Sequence, residues 1–278
     1  MDPRTTPARP DLAAAHLQGK VEAARFVHGK TSSVARGRAS LKHAPSHQAV
    51  QDSELLYGET FIVYENRDGW AWGQAVFDSY VGYVHAVALQ DVTVPTHRVV
   101  ALMTPVFAAP DFKRPMCDML PMNARVAVQA RDKGYAAIAP NAYVWERHLE
   151  PLETKAEDWV AVAERFLGAP YVWSGKTHAG LDCSGLIQTA LQAAGIAAPR
   201  DTDMQERALG FAVAPDDLRR GDLVFWKGHM GVMLDTSRLL HANSFHMEVA
   251  IEPLAEAVAR IAQTAGAITS VKRIASSE

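Results

Sequence analysis

The stretch Leu181-Asp-Cys-Ser-Gly-Leu186 lies where a glycine-containing loop meets a segment with the apolar spacing of a helix. Cys183 falls in the predicted first turn of that helix, where unpaired backbone N–H groups and the helix dipole favour a thiolate. We therefore predict that the pKa of Cys183 is lowered and that its thiol acts as a nucleophile. The alternative is a structural role as a small buried apolar residue, a common use of cysteine.

Two histidines on neighbouring predicted strands can supply the base that a thiol nucleophile needs. A three-residue loop at residues 235–237 would place Gly231 opposite His241 and would bring His229 diagonally across from His241. Side chains in such positions are about 7 to 8 Å apart by backbone, within reach of a hydrogen bond between the two rings. We expect His229 to be the base and His241 to orient it through its second nitrogen.

One cysteine and two histidines are also possible zinc ligands. However, no HxxxH or CxxC spacing links the three residues, and the nearest carboxylate, Asp182, would point away from the adjacent thiol. We therefore expect neither a metal nor a cofactor at this site.

The composition is that of a globular protein. The 278 residues are 48% hydrophobic and 21% charged, which is enough for about two domains with buried cores. A net charge of −3 argues against a nucleic-acid partner. Two cysteines, Cys117 and Cys183, do not make a disulfide framework and fit a reducing compartment.

The apolar runs are too short for an export signal or a membrane helix. Residues 1–20 carry several charges and three prolines, and no stretch approaches the roughly 20 apolar residues of a membrane span. We therefore expect a cytoplasmic protein with no membrane partner, unless a longer precursor is trimmed.

Short alternating runs from Tyr57 onward predict antiparallel strands, with Asp68-Gly69 as a hairpin turn. Residues 126–135 repeat the pattern of residues 61–70, which predicts two related small β-barrels. The predicted organisation is an arm at 1–45 with a weak helical stretch, a first SH3-like barrel at 46–92 and a second at 93–151. One continuous β-sandwich is the alternative.

Residues 152–278 show helical patterns followed by strand-like runs, which predict an α+β domain. Thr154-Lys-Ala-Glu157 has the spacing of a capping box and is expected to begin a helix. Thr202 with Gln205 has the same spacing, which would explain Thr202 without any functional role.

Four motifs together resemble one enzyme family, the NlpC/p60-type cysteine peptidases of bacterial cell-wall peptides, which have a papain-like fold. The motifs are Tyr171-Val-Trp-Ser-Gly-Lys-Thr177, Leu181-Asp-Cys-Ser-Gly-Leu186, Gly228-His-Met-Gly-Val232 and Leu239-Leu-His-Ala242. Two SH3-like barrels before such a domain resemble the γ-D-glutamyl-L-diamino acid endopeptidases of the dipeptidyl-peptidase VI type. The resemblance implies hydrolysis of the bond between γ-D-Glu and a diamino acid, in murein peptides with a free N-terminal L-Ala. Without an export signal, recycling of such peptides is expected.

The resemblance also implies roles for residues around the thiol. Tyr171 would place a hydroxyl beside the oxyanion, together with the backbone N–H of Cys183, and Trp173 would line the substrate site. Asp182 and Ser184 would hold the L-Ala ammonium. Tyr171 and Trp173 could equally be core aromatics.

Further substrate contacts are implied by the same resemblance. Asp201 and Thr202 would lie along the γ-D-Glu part, although the family commonly has Ser at the second position. Asp52 and Tyr80 of the first barrel would help to hold the ammonium. The usual carboxylate there is Glu, so Glu54 is an alternative to the shorter Asp52.

Two rival functions stay open at this point. One is a thiol amidase or acyltransferase of the same fold that acts on another substrate. The other is a wall-binding protein whose catalytic domain is inert and whose paired barrels carry the function. The sequence leaves open whether lysine or diaminopimelate follows D-Glu, and the oligomeric state.

Overall fold

The computed structural model describes residues 1–275. The chain divides into two compact units, one ending at Thr154 and the other beginning at Lys155. Within the described residues, every helix is too short or too polar to cross a lipid bilayer.

The first unit is built from short strands. They are β1 (Ala13–Ala14), β2 (Phe26–Val27), β3 (Lys30–Val34), β4 (Arg38–Lys42), β5 (Gln51–Leu56), β6 (Thr60–Arg67), β7 (Trp70–Ala75), β8 (Val81–His85), β9 (Leu89–Gln90), β10 (His97–Val99), β11 (Met103–Phe107), β12 (Met116–Pro121), β13 (Arg125–Val126), β14 (Ala130–Asp132), β15 (Tyr135–Ala139), β16 (Ala142–Trp145) and β17 (Leu149–Pro151). Single turns of 3₁₀ helix lie at Ala15–Leu17, Ala86–Ala88 and Glu146–His148.

A seven-stranded antiparallel sheet in the order β5-β4-β8-β7-β6-β3-β9 surrounds the first hydrophobic core. Leu41, Phe61 and Val84 are fully buried in that core. The predicted hairpin is confirmed, because Arg67 pairs with Trp70 around Asp68-Gly69. Both turn residues have positive φ, 50° and 79°, as the twist of a two-residue hairpin requires.

The structure differs from the predicted arm at residues 1–45. Strands β3 and β4 lie inside that range and pair with β6 and β5 of the seven-stranded sheet. The weak helical pattern of residues 12–26 is wrong as well. Leu12, Ala13 and Ala14 are buried in succession, which suits extended chain rather than one face of a helix.

Arg9 holds the N-terminal segment against the seven-stranded sheet. Its guanidinium lies 4.4 Å from the ring centroid of Trp72 and donates to Tyr83 Oη at 2.7 Å and to Glu65 Oε2 at 2.6 Å. Cation–π stacking and ion pairing therefore act on the same side chain.

Residues 97–151 form separate sheets with a separate core. A five-stranded sheet has the order β12-β11-β16-β15-β14, and a three-stranded sheet has the order β13-β10-β17. The hairpin at Lys133-Gly134 has φ values of 49° and 81°, close to those at Asp68-Gly69, as the sequence repeat predicts. The interpretation of residues 93–151 as a second SH3-like barrel, and the other predicted boundaries, stay predictions.

The second unit has the expected α+β fold. Its elements are α1 (Trp159–Glu164), β18 (Lys176–Thr177), β19 (Gly180–Leu181), α2 (Cys183–Ala193), α3 (Thr202–Ala208), β20 (Phe211–Ala212), β21 (Asp222–Trp226), β22 (His229–Met233), β23 (Arg238–Asn243), β24 (Glu248–Pro253), α4 (Leu254–Ile261) and β25 (Ser270–Arg273). A six-stranded antiparallel sheet has the order β20-β25-β21-β22-β23-β24.

Helix α2 is the buried helix of this unit, with ten of its eleven residues buried. Leu186, Ile187 and Leu191 are fully buried, and full burial of such a side chain contributes about 1.5 to 3 kcal/mol. The helix is thus anchored along its length, and this fixes the position of its first residue, Cys183.

Both predicted capping boxes are wrong. Helix α1 begins at Trp159, with the Asp158 carboxylate accepting from the N–H groups of Val160 and Ala161, so residues 154–157 precede the helix. Asp201 occupies the cap position of α3 and Thr202 is its first residue. Asp158 is therefore an ordinary N-cap. The capping-box spacing that begins at Thr154 does not mark the start of the helix.

Candidate active site

Cys183 is the first residue of α2, and the side chain of Asp182 caps the helix by accepting from Gly185 N at 2.7 Å. The thiol is buried, with 6% of the residue exposed. Backbone N–H groups of Ser184 and Met230 hydrogen-bond to its sulfur. The predicted position at a helix N-terminus is therefore confirmed.

The predicted lowering of the Cys183 pKa is wrong. Burial raises the pKa of the thiol to about 11, and the negative charge of Asp182 acts in the same direction. The hydrogen bonds from Thr202 and from the two backbone N–H groups oppose this shift but are weaker. Removal from water disfavours the thiolate more than the helix terminus favours it.

The histidine pair has the predicted register and contact. Val232 pairs with Leu240, and the N–H of Leu234 donates to Arg238 O at 2.8 Å, so residues 235–237 form the three-residue loop. His229 Nε2 lies 2.8 Å from His241 Nδ1. Since Nε2 is engaged, Nδ1 of His229 is the nitrogen that is left for the thiol.

Gly231 makes room for this pair. A Cβ at this position would lie 3.0 Å from the Cβ of His241 and 2.8 Å from Leu239 Cδ1. The space beside Gly231 is thus occupied by side chains of the neighbouring strand.

The hydrogen-bond chain continues beyond the histidines, to residues that the sequence analysis missed. His241 Nε2 lies 2.6 Å from Glu252 Oε1, and Arg260 Nη2 donates to the same oxygen. His241 lies on the same face of β23 as Leu239, which packs against α4. Arg260 of α4 can therefore reach the carboxylate behind His241. Alternation along β24 could have placed Glu252 near His241, but it says nothing about Arg260.

Burial also lowers the pKa of both histidines. The pKa of His229 falls to about 3 because of burial, with smaller contributions from His241 and Arg260. The pKa of His241 falls to about 3 because of burial and the charge of Arg260. At neutral pH the thiol of Cys183 and both imidazoles are therefore uncharged.

Arg200 is a second residue that the sequence analysis left without a role. It is 1% exposed and donates to both carboxylate oxygens of Asp182, at 3.0 and 2.9 Å. It also donates to Ser184 Oγ at 2.9 Å and to Gly175 O at 3.1 Å. A buried carboxylate needs such a partner, but no local sequence pattern identifies which arginine supplies it.

These contacts give Asp182 and Ser184 an anchoring role. Asp182 additionally accepts from Ser174 N at 2.9 Å, so one carboxylate joins the loop, the helix start and Arg200. The implied contact of Asp182 and Ser184 with an L-Ala ammonium stays a prediction. Ser174 has a φ of 60°, a left-handed conformation that glycine adopts more readily than serine.

Tyr171 lies near the thiol, whereas Trp173 faces solvent. Burial raises the pKa of Tyr171, and the charge of Cys183 acts in the same direction. Tyr171 forms an isolated β-bridge with Leu181, two residues before the thiol. Trp173 is 64% exposed, so its interpretation as a core aromatic is wrong. Its exposed ring is available to a ligand.

The hydroxyl of Thr202 contacts the thiol, with Oγ1 3.6 Å from Cys183 Sγ. Gln205, its supposed capping partner, instead donates to Ser184 O at 3.0 Å and to Pro199 O at 2.8 Å. Asp201 comes just before this residue and is partly exposed. The roles of Asp201 and Thr202 along the substrate stay predictions.

The three candidate ligands from the first barrel, Asp52, Glu54 and Tyr80, differ in burial and in their contacts. Tyr80 is 6% exposed and belongs to the core of the seven-stranded sheet. Asp52 is partly exposed, with Oδ1 3.9 Å from His43 Nδ1. Glu54 is buried and accepts from Arg38 at 2.8 Å, which disfavours it as the alternative ligand. The ammonium contacts of Asp52 and Tyr80 stay predictions.

Three residues could in principle hold a metal ion. The ligand atoms of His241, His246 and Glu252 lie within 4.8 Å of one another. However, the Arg260 guanidinium already bonds to the Glu252 oxygen, and its charge opposes a second cation there. The expectation of no metal stays a prediction.

Family models match two segments of the chain. Residues 168–265, which carry Cys183, His229, His241 and Glu252, match the NlpC/P60 family. This segment is an NlpC/P60 domain. Residues 41–89 match the bacterial dipeptidyl-peptidase SH3 domain. The predicted combination of an NlpC/P60 domain with a preceding SH3-like domain is therefore confirmed.

Two relatives of the NlpC/P60 domain come from Bacillus species. The chain is 31% identical over 143 residues to gamma-D-glutamyl-L-lysine dipeptidyl-peptidase of Bacillus subtilis, covering 46% of this chain and 48% of that protein. It is 36% identical over 107 residues to a protein of the same name from Bacillus cereus, covering 36% of this chain and 32% of that protein. The chain thus spans less than half the length of these relatives.

Among solved structures, an NlpC/P60 family protein from Bacillus cereus is similar to this chain with a TM-score of 0.74. The sequence identity is 19%, and the similarity covers 88% of this chain and 99% of that one. An NlpC/P60 endopeptidase from Photobacterium damselae has a TM-score of 0.62 at 14% identity, covering 89% of this chain and 72% of that one. These similarities show a shared fold.

Proposed function

We propose that this chain is a cysteine peptidase that hydrolyses the bond between γ-D-Glu and the diamino acid in murein peptides with a free N-terminal L-Ala. The observation that carries the proposal is the thiol of Cys183 at the start of α2. Its sulfur accepts from the backbone N–H of Met230, the residue directly after His229 of the hydrogen-bonded histidine pair. The name of the Bacillus relatives supports a γ-D-glutamyl substrate.

The proposed reaction begins with a neutral pair. As Cys183 Sγ bonds to the γ-carbonyl carbon, its proton passes to Nδ1 of His229. The C–N bond then breaks while His229 returns this proton to the leaving amine, which leaves a thioester on Cys183. Water, losing a proton to His229, attacks the thioester carbonyl carbon. As the C–S bond breaks and L-Ala-γ-D-Glu is released, His229 returns this proton to the sulfur of Cys183. Because the thiol has a pKa near 11 and His229 one near 3, proton transfer accompanies attack rather than preceding it.

The oxyanion would be stabilised by two donors. The backbone N–H of Cys183 belongs to the first turn of α2, where it points outward from the helix. The hydroxyl of Tyr171, whose chain segment bridges to Leu181 just before the thiol, would be the second donor. Removal of one such donor typically costs about 10²- to 10³-fold in rate, so Tyr171→Phe is expected to retain weak activity.

The remaining substrate contacts follow the resemblance. The exposed ring of Trp173 would line the substrate site. Asp201 and Thr202 would lie along the γ-D-Glu part, while Asp52 and Tyr80 would meet the ammonium. A substrate with a free L-Ala amine is a released fragment rather than intact wall. The proposal therefore includes a role in recycling murein peptides.

The test is cleavage of L-Ala-γ-D-Glu-L-Lys and L-Ala-γ-D-Glu-meso-diaminopimelate, each with a free and with an acetylated N-terminus. Release of L-Ala-γ-D-Glu from the free peptides alone is the expected result. Equal cleavage of the acetylated peptides would instead favour a thiol amidase of broader specificity. Binding without any cleavage would favour an inert wall-binding protein.

A further inference from the structure

A chain of hydrogen bonds runs from His229 through His241 to the carboxylate of Glu252, and Arg260 is its last member. His229 Nε2 lies 2.8 Å from His241 Nδ1, and His241 Nε2 lies 2.6 Å from Glu252 Oε1. Arg260 donates to that same oxygen. His241 is fully buried and Glu252 is 8% exposed, so water has little access to the bonds between them.

Donor and acceptor inventories assign the protons along this chain. An arginine only donates, and an ionised carboxylate only accepts. Glu252 Oε1 therefore accepts from both neighbours, which places the proton of neutral His241 on Nε2. His241 Nδ1 is then an acceptor. The proton of neutral His229 must lie on Nε2, and its Nδ1 is left with a free lone pair.

That lone pair is what a base for Cys183 needs. The opposite tautomer of His229 would present an N–H group to the thiol and could not accept its proton. Resting on the proposed function, we propose that Glu252, held by Arg260, is a positioning residue that fixes the tautomer of His229 through His241. Glu252 touches neither substrate nor thiol in this role.

His241 and Arg260 both bond to the same atom, Oε1 of Glu252, so the proposal depends on an acceptor at this one position. Glu252→Gln keeps an acceptor there. Arg260 can only donate, so it pairs with the amide oxygen of the glutamine rather than with its NH₂ group. In this variant His229 and His241 are each expected to keep the tautomer that they have in the wild type, with the proton on Nε2. Glu252→Met has a similar length but no acceptor, so His241 can carry its proton on either nitrogen and His229 follows.

The direct test is ¹⁵N NMR of the histidine rings in the full chain at neutral pH, with His229 and His241 assigned through His229→Gln and His241→Gln. The expected result is a proton on Nε2 of both rings in the wild type and in Glu252→Gln. In Glu252→Met, a population of His229 with the proton on Nδ1 is expected. A wild-type His229 that carries its proton on Nδ1 would overturn the proposal, and this measurement requires no variant at position 252.

The second test is the activity of the same variants. We expect Glu252→Met to lose at least about 10-fold in kcat/KM, since replacing the carboxylate that fixes a catalytic histidine can cost up to about 10⁴-fold. Glu252→Gln should lose less, and Glu256→Gln, an exposed carboxylate on the helix of Arg260, should match the wild type. Unchanged tautomers in a folded Glu252→Met protein would also refute the proposal.

Two features keep these outcomes interpretable. Glu252→Met with Arg260→Met removes both members of the ion pair, so an unpaired, partly buried arginine cannot explain a loss. If the wild type cleaves no γ-glutamyl peptide, the proposed function fails, but the NMR result still decides the tautomer of His229. Failure of the tautomer proposal with an active wild type would leave the proposed function intact.

Discussion

Replacing Arg200 by methionine would leave the Asp182 carboxylate buried without its cation. Arg200 makes two bonds to this carboxylate and one each to Ser184 and Gly175. Breaking a buried ion pair by removing one partner costs about 3 to 5 kcal/mol. Asp182 would keep its bonds from Ser174 N and Gly185 N, which favours the lower half of this range, about 3 to 4 kcal/mol.

The assay is native-state hydrogen exchange of the α2 amides, together with urea unfolding of the full chain. Arg200→Met with Asp182→Asn removes both charges and should recover at least about 1 kcal/mol of the loss, because the uncompensated charge is gone. Arg207→Met is the matched control. Arg207 pairs with Asp203 on the exposed surface of α3, and such pairs contribute about 0 to 1 kcal/mol.

Two results would refute this reasoning. One is a cost below about 1 kcal/mol for Arg200→Met, close to that of the surface control. The other is a double variant no more stable than Arg200→Met alone. Either would show that Arg200 does not stabilise the start of α2 through the Asp182 charge.

Three further predictions concern the thiol and the histidines. Gly231→Ala should cost about 1 to 3 kcal/mol of stability and displace His241, seen as a lower Tm and the loss of activity; unchanged values would contradict the close contact. Folding lowers the pKa of His229 and of His241 from 6.5 to about 3. The free energy of unfolding should therefore be highest above pH 6.5 and should fall between pH 6.5 and pH 3, by up to about 1.4 kcal/mol per pH unit for each histidine. Thermal melts should show this, with a smaller slope in His229→Gln. Iodoacetamide at pH 7.5 should label exposed Cys117 before buried Cys183, and a faster reaction of Cys183 would indicate a thiolate.

The histidine pair could be predicted because strand geometry is local. Side chains alternate with a period of two, and a three-residue loop fixes which faces meet. Those two facts were enough to place His229 beside His241. The position of Cys183 at a helix start was predictable for the same reason, since helical spacing begins directly after it.

The charged partners could not be predicted because they come from distant elements. Arg200 follows α2 and Arg260 lies on α4, and neither has a spacing relation to the residue it pairs with. Their importance comes from burial, which makes each carboxylate depend on a cation. Burial also explains the wrong prediction for the pKa of Cys183, since the sequence shows the helix terminus but not the loss of water around it.

The prediction of an arm at residues 1–45 was wrong for a different reason. Strand β3 has the sequence Lys-Thr-Ser-Ser-Val, which is polar and lacks the apolar alternation of the later strands. It is recognisable as a strand only through its pairing with β6. Tertiary context therefore decides this segment, as it commonly does for strands with weak intrinsic preference.

The central claim is that Cys183 is the nucleophile, and side-by-side cleavage rates test it most directly. Wild type, Cys183→Ala and Cys117→Ala should be incubated with L-Ala-γ-D-Glu-meso-diaminopimelate and with the L-Lys peptide. We predict that Cys183→Ala loses at least about 10³-fold in kcat/KM, while Cys117→Ala matches the wild type. Cleavage by Cys183→Ala within about 10-fold of the wild-type rate would contradict the account.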